Sequence, residues 1–173
     1  MILGFDTIAR ILLFVIPLYI ANSSAVVFHG KTPIDFHKKL MDGYPILGEG
    51  KTVKGAFFGI LFGTLSAVLL YYLLPQTTLL LTNNYLYAGF VLAFGAILGD
   101  MCGAFIKRRF GLERGKPVLF LDQLDFVAGG IILTMPFIQL SFIEILIIVI
   151  ATPLIHKLAN MFAYNAKLKK HPW

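Results

Sequence analysis

The apolar residues of this chain fall into long runs joined by short polar connections. A membrane crossing takes about 20 apolar residues. Ile8 to Phe28 supplies one run, Ala56 to Leu74 a second and Tyr85 to Ile106 a third. The fourth is less regular. Phe126 to Ile138 gives thirteen residues, roughly 20 Å of helix and too short to cross. Starting at Leu119 lengthens it to 20 residues and draws Asp122 and Asp125 into the run. The fifth runs from Phe142 to about Phe162, with Glu144 at its start and Pro153 as an expected kink. The pattern predicts an all-α integral membrane protein of about five transmembrane helices.

Composition agrees. Of the 173 residues, 58% are hydrophobic and 14% charged, against about 25% charged in ordinary soluble domains. Mean hydropathy is +0.81. No polar segment is long enough to fold alone, so residues 1–173 are expected to form a single transmembrane domain. Cys102 is the only cysteine, which rules out an intrachain disulfide. The first run is read as a retained helix, because Asp6 and Arg10 make a poor basic leader for a signal peptide.

Charge sets the orientation. Fourteen of the fifteen lysines and arginines fall in the connections after the first and third runs and at the C-terminal end; Arg10 alone lies near the other face. Basic residues concentrate on the cytoplasmic side. The N-terminus is therefore expected outside and the C-terminus in the cytoplasm of a multi-pass cell-membrane protein. The net charge of +6 then reflects this rule and attraction to anionic headgroups of the bilayer, with no nucleic-acid partner.

Acids stand where acids are costly. Asp100 lies in the third run, Asp122 and Asp125 at the start of the fourth. A charge at membrane depth costs at least about 2.5–3.5 kcal/mol, so it usually faces a cavity. Asp100 is six residues before Ile106 and Asp125 six after Leu119, which puts the two at similar depth. Asp122 and Asp125, three apart, share a helical face. Lys107, Arg108 and Arg109 follow, then Arg114 and Lys116. Acids deep and cations at the rim describe a cytoplasm-facing polar funnel. Carboxylates that converge repel unless a cation joins them, and oxygen ligands with phosphates suit Mg2+. Buried ion pairs with nearby basic residues are the structural alternative.

Glycines recur every four residues in the second run (Gly55, Gly59, Gly63) and the third (Gly95, Gly99, Gly103). Such faces let helices approach closely; beside Asp100, Gly99 and Gly103 are also placed to keep space for a ligand. Asn22, Ser23 and Ser24 interrupt the first run, either as interhelical hydrogen-bonding groups or as ligand contacts. In the first connection, Gly48, Gly50 and Gly55 interleave with Lys51, Thr52 and Lys54. Glycine amides and lysines can cradle phosphates. Gly50-Lys51-Thr52 imitates the end of a P-loop, but Pro45 stands where the first glycine is required, and no strand precedes it. His29 and His37 lack metal-ligand spacing and are expected to face solvent.

Taken together, several segments resemble the archaeal CDP-archaeol synthases, short relatives of the phosphatidate cytidylyltransferases. They are Gly99-Asp100, Phe105 to Gly111, Arg114-Gly115 and Leu121-Asp122-Gln123-Leu124-Asp125-Phe126, with Ala21 to Ala25, Pro33 to Phe36 and Gly50 to Gly55 in support. Gln123 replaces the arginine of the related bacterial-type Asp-Arg-x-Asp. The resemblance implies transfer of CMP from CTP to the phosphate of an unsaturated archaeal ether lipid, giving CDP-archaeol and pyrophosphate. It implies catalytic roles for Asp100, Lys107, Asp122 and Asp125, with Mg2+ on the three aspartates. Substrate contacts would come from Asn22, Ser23, Lys51, Thr52, Lys54, Arg108, Arg109 and Arg114. A lipid phosphomonoester, with a second pKa near about 6, needs no general base.

Two other classes compete. A CDP-alcohol phosphotransferase would need an arginine where Leu47 stands after Asp42-Gly43, and a wider gap than Asp122 to Asp125. A small-ion transporter would explain the acids but not the cations gathered in two cytoplasmic connections.

Overall fold

Pro17 sits in the middle of the first helix, where its missing N–H leaves the Leu13 carbonyl without a helical partner. The buried Tyr85 hydroxyl donates to that carbonyl at 2.7 Å. One contact thus repairs the helix and joins it to the helix that carries Asp100. The computed structural model describes residues 4–165 apart from 114, 115 and 117. The helices are α1 (Phe5–Val27), α2 (Val53–Leu73), the single turn α3 (Pro75–Thr78), α4 (Tyr85–Arg109), α5 (Leu121–Thr134) and α6 (Phe142–Asn165). Among the described residues there is no β-strand; two isolated bridges, Pro33 with Thr52 and Lys39 with Pro45, fold the α1–α2 connection on itself.

Five long helices occupy the five apolar runs. Among the described residues, α1, α2 and α4 are long and apolar enough to cross a membrane. α5 has 14 residues, about 21 Å of helix against a hydrocarbon core of about 30 Å. It is shorter than the run from Leu119 to Ile138 because of its flanks. Phe120 takes a left-handed φ of 66° before it, and Pro136 has no N–H with which to continue it. α4 runs three residues beyond the expected Ile106, so Lys107, Arg108 and Arg109 form its last turn. Cations there are favoured by the helix dipole.

α4 is the central helix, in contact with α1, α2 and α5. Phe14, Leu18 and Ala21 of α1, Leu92, Ala93 and Ala96 of α4 and Phe126 of α5 form the dry centre. The glycine faces seat their neighbours. A side chain at Gly59 would meet the Ala21 carbonyl at 2.8 Å, and one at Gly95 the Gly129 carbonyl at 2.9 Å. Gly99 and Gly103 do the same work: both face Asp125 on α5, so they admit a helix rather than hold space open.

The connections at the far end hold an ion pair. Arg10 donates to Glu144 Oε1 at 2.5 Å, to the Gln139 carbonyl at 2.6 Å and to the Leu80 carbonyl. Glu144 Oε2 accepts the Ser141 N–H at 2.7 Å. This clasp ties α1 to α6 and to the chain after α3.

Candidate active site

The opposite end of the bundle gathers the C-terminal ends of α1 and α4, the N-terminal ends of α2 and α5, and the folded α1–α2 connection. Thr52 begins α2 as its N-cap, accepting N–H groups from Gly55 at 3.2 Å and Gly30 at 3.0 Å. Its neighbour Lys51 is thereby fixed at the head of α2 and reaches α4. Lys51 Nζ lies 2.6 Å from both carboxylate oxygens of Asp100. Lys107 Nζ lies 2.6 Å from Asp122 Oδ1, and Asp122 Oδ2 accepts the Val118 N–H at 3.1 Å. Asp125 is level with Asp100, since its carboxylate packs on the backbone of Gly103. Its Oδ1 accepts the N–H of Phe126 at 2.7 Å. Asp100, Lys51 and Asp122 are all near enough to act on Asp125 electrostatically. Among the described residues no cation reaches salt-bridge distance of it.

A cavity of about 530 Å³ opens beside this cluster. His29, Lys51 and Asp100 make its polar end; Val26, Ile97 and Met101 make its apolar wall. Such a lining suits a molecule with a charged head and a hydrocarbon tail.

The α1–α2 connection is built around Asp35, which is 7% exposed. Its Oδ1 accepts the His37 N–H at 3.1 Å, and its Oδ2 those of Leu47 at 2.9 Å and Gly48 at 2.8 Å. Burial by itself would raise the Asp35 pKa; the three N–H groups, with the nearby His37, outweigh it and hold the carboxyl below the usual range. Arg109 braces the tip of the same connection. It donates to Asp42 and the Pro45 carbonyl and lies over the Phe105 ring.

The structure thus brings together Asp100, Asp122, Asp125, Lys51 and Lys107. Asn22 lies on the cavity side of α1, one turn before Val26. Ser23 is exposed. Lys54 turns the other way, over the Phe58 ring at 5.9 Å from its centre. Thr52 is taken up by capping and Arg109 by bracing. Arg108 points into a second, smaller cavity. Arg114 lies outside the described residues. Sequence reasoning missed three residues. Asp35 carried a usable signal, an aspartate two residues before the amide it accepts, the mark of an Asx turn. Asp42 was weighed only as a motif fragment. His29 was expected in solvent; it is exposed, but on the cavity rim.

The sequence profile of the CarS-like CDP-archaeol synthases matches residues 4–173. The chain belongs to the CDP-archaeol synthase family. The CDP-archaeol synthase of Pyrococcus horikoshii is 43% identical over 160 residues, covering 92% of this chain and 94% of its own. That of Archaeoglobus fulgidus is 41% identical, covering 97% and 99%. A solved structure of an intramembrane enzyme of archaeal membrane-lipid biosynthesis superposes with a TM-score of 0.79 at 33% identity, covering 87% of this chain and 92% of that one. The protein is therefore a membrane-embedded cytidylyltransferase, and the phosphotransferase and transporter readings fall.

The family resemblance carries an expectation of Mg2+. Among the described residues no three His, Cys, Asp or Glu side chains converge as a metal cage. Magnesium seldom uses one: it takes one or two carboxylates and completes its shell with phosphates and water. Asp125, which has no ion pair among the described residues, with Asp100 or Asp122 beside it, offers the one or two carboxylates that such a site uses.

Proposed function

We infer that the enzyme transfers CMP from CTP to geranylgeranylglyceryl phosphate, giving CDP-archaeol and pyrophosphate. The observation that carries the reading is an amphipathic cavity lined by the Lys51–Asp100 pair, at the same end of the bundle as Asp125 and the Lys107–Asp122 pair. A lipid phosphate oxygen attacks the α-phosphorus; the bond from that phosphorus to the β-bridging oxygen breaks, and pyrophosphate leaves. The attacking group is already largely a dianion at neutral pH, so no proton need be removed. The chain's work is to seat two polyanions side by side and to stabilise charge on the leaving group.

Lys51 and Lys107 are the cations placed to do this. Each rests on a carboxylate, Lys51 on Asp100, which lines the cavity, and Lys107 on Asp122. Asp125, with one of its neighbours Asp100 and Asp122, would hold Mg2+; bound there, the ion would neutralise phosphate charge and order the phosphates for in-line attack. His29 flanks the phosphate end, and Val26, Ile97 and Met101 receive the first part of the tail.

This end of the bundle faces the cytoplasm, where CTP is, by the basic-residue asymmetry. A cysteine placed at Gly4 should then react with an impermeant reagent from outside intact cells; reaction only after lysis would reverse the orientation. For the reaction itself, α-labelled CTP with the lipid phosphate should give labelled lipid. γ-Labelled CTP should give labelled pyrophosphate and unlabelled lipid. Label passing to the lipid from the γ position would mean a kinase and overturn the reading.

A further inference from the structure

Residues 38–46 of the α1–α2 connection double back on themselves. The Ile46 N–H donates to the Lys38 carbonyl at 3.1 Å, and the Leu40 N–H to the Tyr44 carbonyl at 3.0 Å. Gly43, with a φ of 79°, closes the turn. Turns that face water are built mostly of polar residues, glycine and proline; the tip of this one is apolar. Met41 is fully exposed, and Leu40 and Tyr44 are 41% and 45% exposed. Lys38 and Lys39 stand exposed at the neck of the turn. Single exposed apolar side chains are ordinary, but a group of them rimmed by charge marks a contact surface.

The position of the tip identifies what it contacts. Arg109, in the last turn of α4, donates to Asp42 and to the Pro45 carbonyl. Its guanidinium lies 5.0 Å from the centre of the Phe105 ring, one turn back along α4. Helical side chains lean toward the N-terminus of their helix, which from the last turn of α4 is toward its membrane-spanning part. The tip is therefore not held out in water. It is drawn back beside the point where α4 leaves the membrane, which Lys107, Arg108 and Arg109 mark, since charged heads reach for the headgroup level. Tyr44 reaches the same point, its hydroxyl 3.0 Å from where a side chain at Gly111 would begin. Tyrosine is enriched at that level of membrane proteins. Phe105 and Phe110 are exposed there too and extend the apolar surface. Apolar side chains with lysines at their margin, level with the headgroups, suit one partner. The apolar part sinks into the boundary of headgroups and acyl chains, and the cations rest on anionic headgroups.

We propose that the 38–46 turn docks on the bilayer surface at the active-site end, with Leu40 and Met41 below the headgroups and Lys38 and Lys39 on anionic ones. The turn thereby anchors to the membrane the same connection that ends in Lys51 and Thr52.

Cys102 is the only cysteine, so Met41→Cys in a Cys102→Ser chain places a single environment-sensitive fluorophore at the tip. Met41 is fully exposed, and its replacement leaves the packing intact. The full chain is placed in nanodiscs of mixed anionic and zwitterionic phospholipid. Lipids spin-labelled near the head of the acyl chain should quench the fluorophore. Acrylamide, an uncharged quencher confined largely to water, should quench it at least about fivefold less than it quenches the dye on free cysteine. Adding Lys38→Glu and Lys39→Glu should lower the acyl-chain quenching at least about twofold in the mixed nanodiscs and much less in purely zwitterionic ones. Full access to acrylamide without acyl-chain quenching would place the tip in water and overturn the proposal. Shielding from both quenchers would mean that protein, such as a second copy of the chain, covers the tip, and would overturn it as well. Quenching that ignores the charge reversal in mixed nanodiscs would overturn the headgroup contacts. No readout here needs nucleotide or turnover, so each outcome is independent of the CTP reaction.

Discussion

Gly103→Ala and Gly95→Ala form a matched pair on one face of α4. Both add one methyl group to the α4–α5 contact, but they press on different things. At Gly95 the new carbon would lie 2.9 Å from the Gly129 carbonyl oxygen and 3.0 Å from the Gly130 Cα. Backbone must give way, and overpacking of that kind costs about 1–3 kcal/mol of stability. At Gly103 the carbon would lie 2.9 Å from both Cβ and Cγ of Asp125. A side chain can swing aside more cheaply than a helix can move, so less stability is lost. The displaced group, however, is a carboxylate assigned to the reaction. A misplacement of about 1 Å is worth about a hundredfold in rate, or about 2.7 kcal/mol in the barrier. Thermal unfolding in detergent and initial rates with CTP and lipid phosphate give both quantities. Gly95→Ala should unfold at lower temperature with kcat/KM within a few-fold of wild type. Gly103→Ala should lose about a hundredfold in kcat/KM with the smaller change in unfolding temperature. Equal losses of activity in the two, or near-normal activity in Gly103→Ala, would refute the placement of Asp125 at the reacting phosphates.

Two further results are expected. Lys51→Ala should raise the KM for CTP about tenfold or more and the lipid KM much less; equal effects on both substrates would assign Lys51 a general charge role. Asp35, whose folded pKa is depressed, should stabilise the connection fully above its unfolded value of about 3.9 and lose that contribution as pH falls through the lower folded value. Hydrogen exchange at Leu47 and Gly48, corrected for intrinsic rate, should therefore stay slow from neutral pH to about pH 5 and quicken below about pH 4. Asp35→Asn should show fast exchange already at neutral pH, and protection equal to wild type would contradict the role.

The helices were legible because membrane burial writes itself in long apolar runs, and the depth match of Asp100 and Asp125 followed from counting along two of them. Helix ends were less so: Phe120 and Pro136 shorten α5 through backbone geometry that an apolar count ignores. In the site, acids at membrane depth stood out because they are costly there. Cations carried no such label. Lys51, Lys54, Arg108 and Arg109 look alike in sequence, yet one meets Asp100, one covers Phe58, one enters the second cavity and one braces Asp42. Their roles depend on which way each helix end and loop turns. The Arg10–Glu144 clasp escaped notice for the same reason, its partners being 134 residues apart.

The central claim is that the carboxylates where α4 meets α5 run the cytidylyl transfer. Asp122→Asn and Asp125→Asn test it most directly, since each removes a charge at almost constant volume. Incorporation of α-labelled CTP into lipid should be measured on variants shown to be folded and membrane-inserted, across a magnesium titration. The account predicts that each loses at least about a hundredfold in turnover, the several kcal/mol that a displaced metal ion contributes to the transition state. Near-normal turnover of either variant at low magnesium would contradict it.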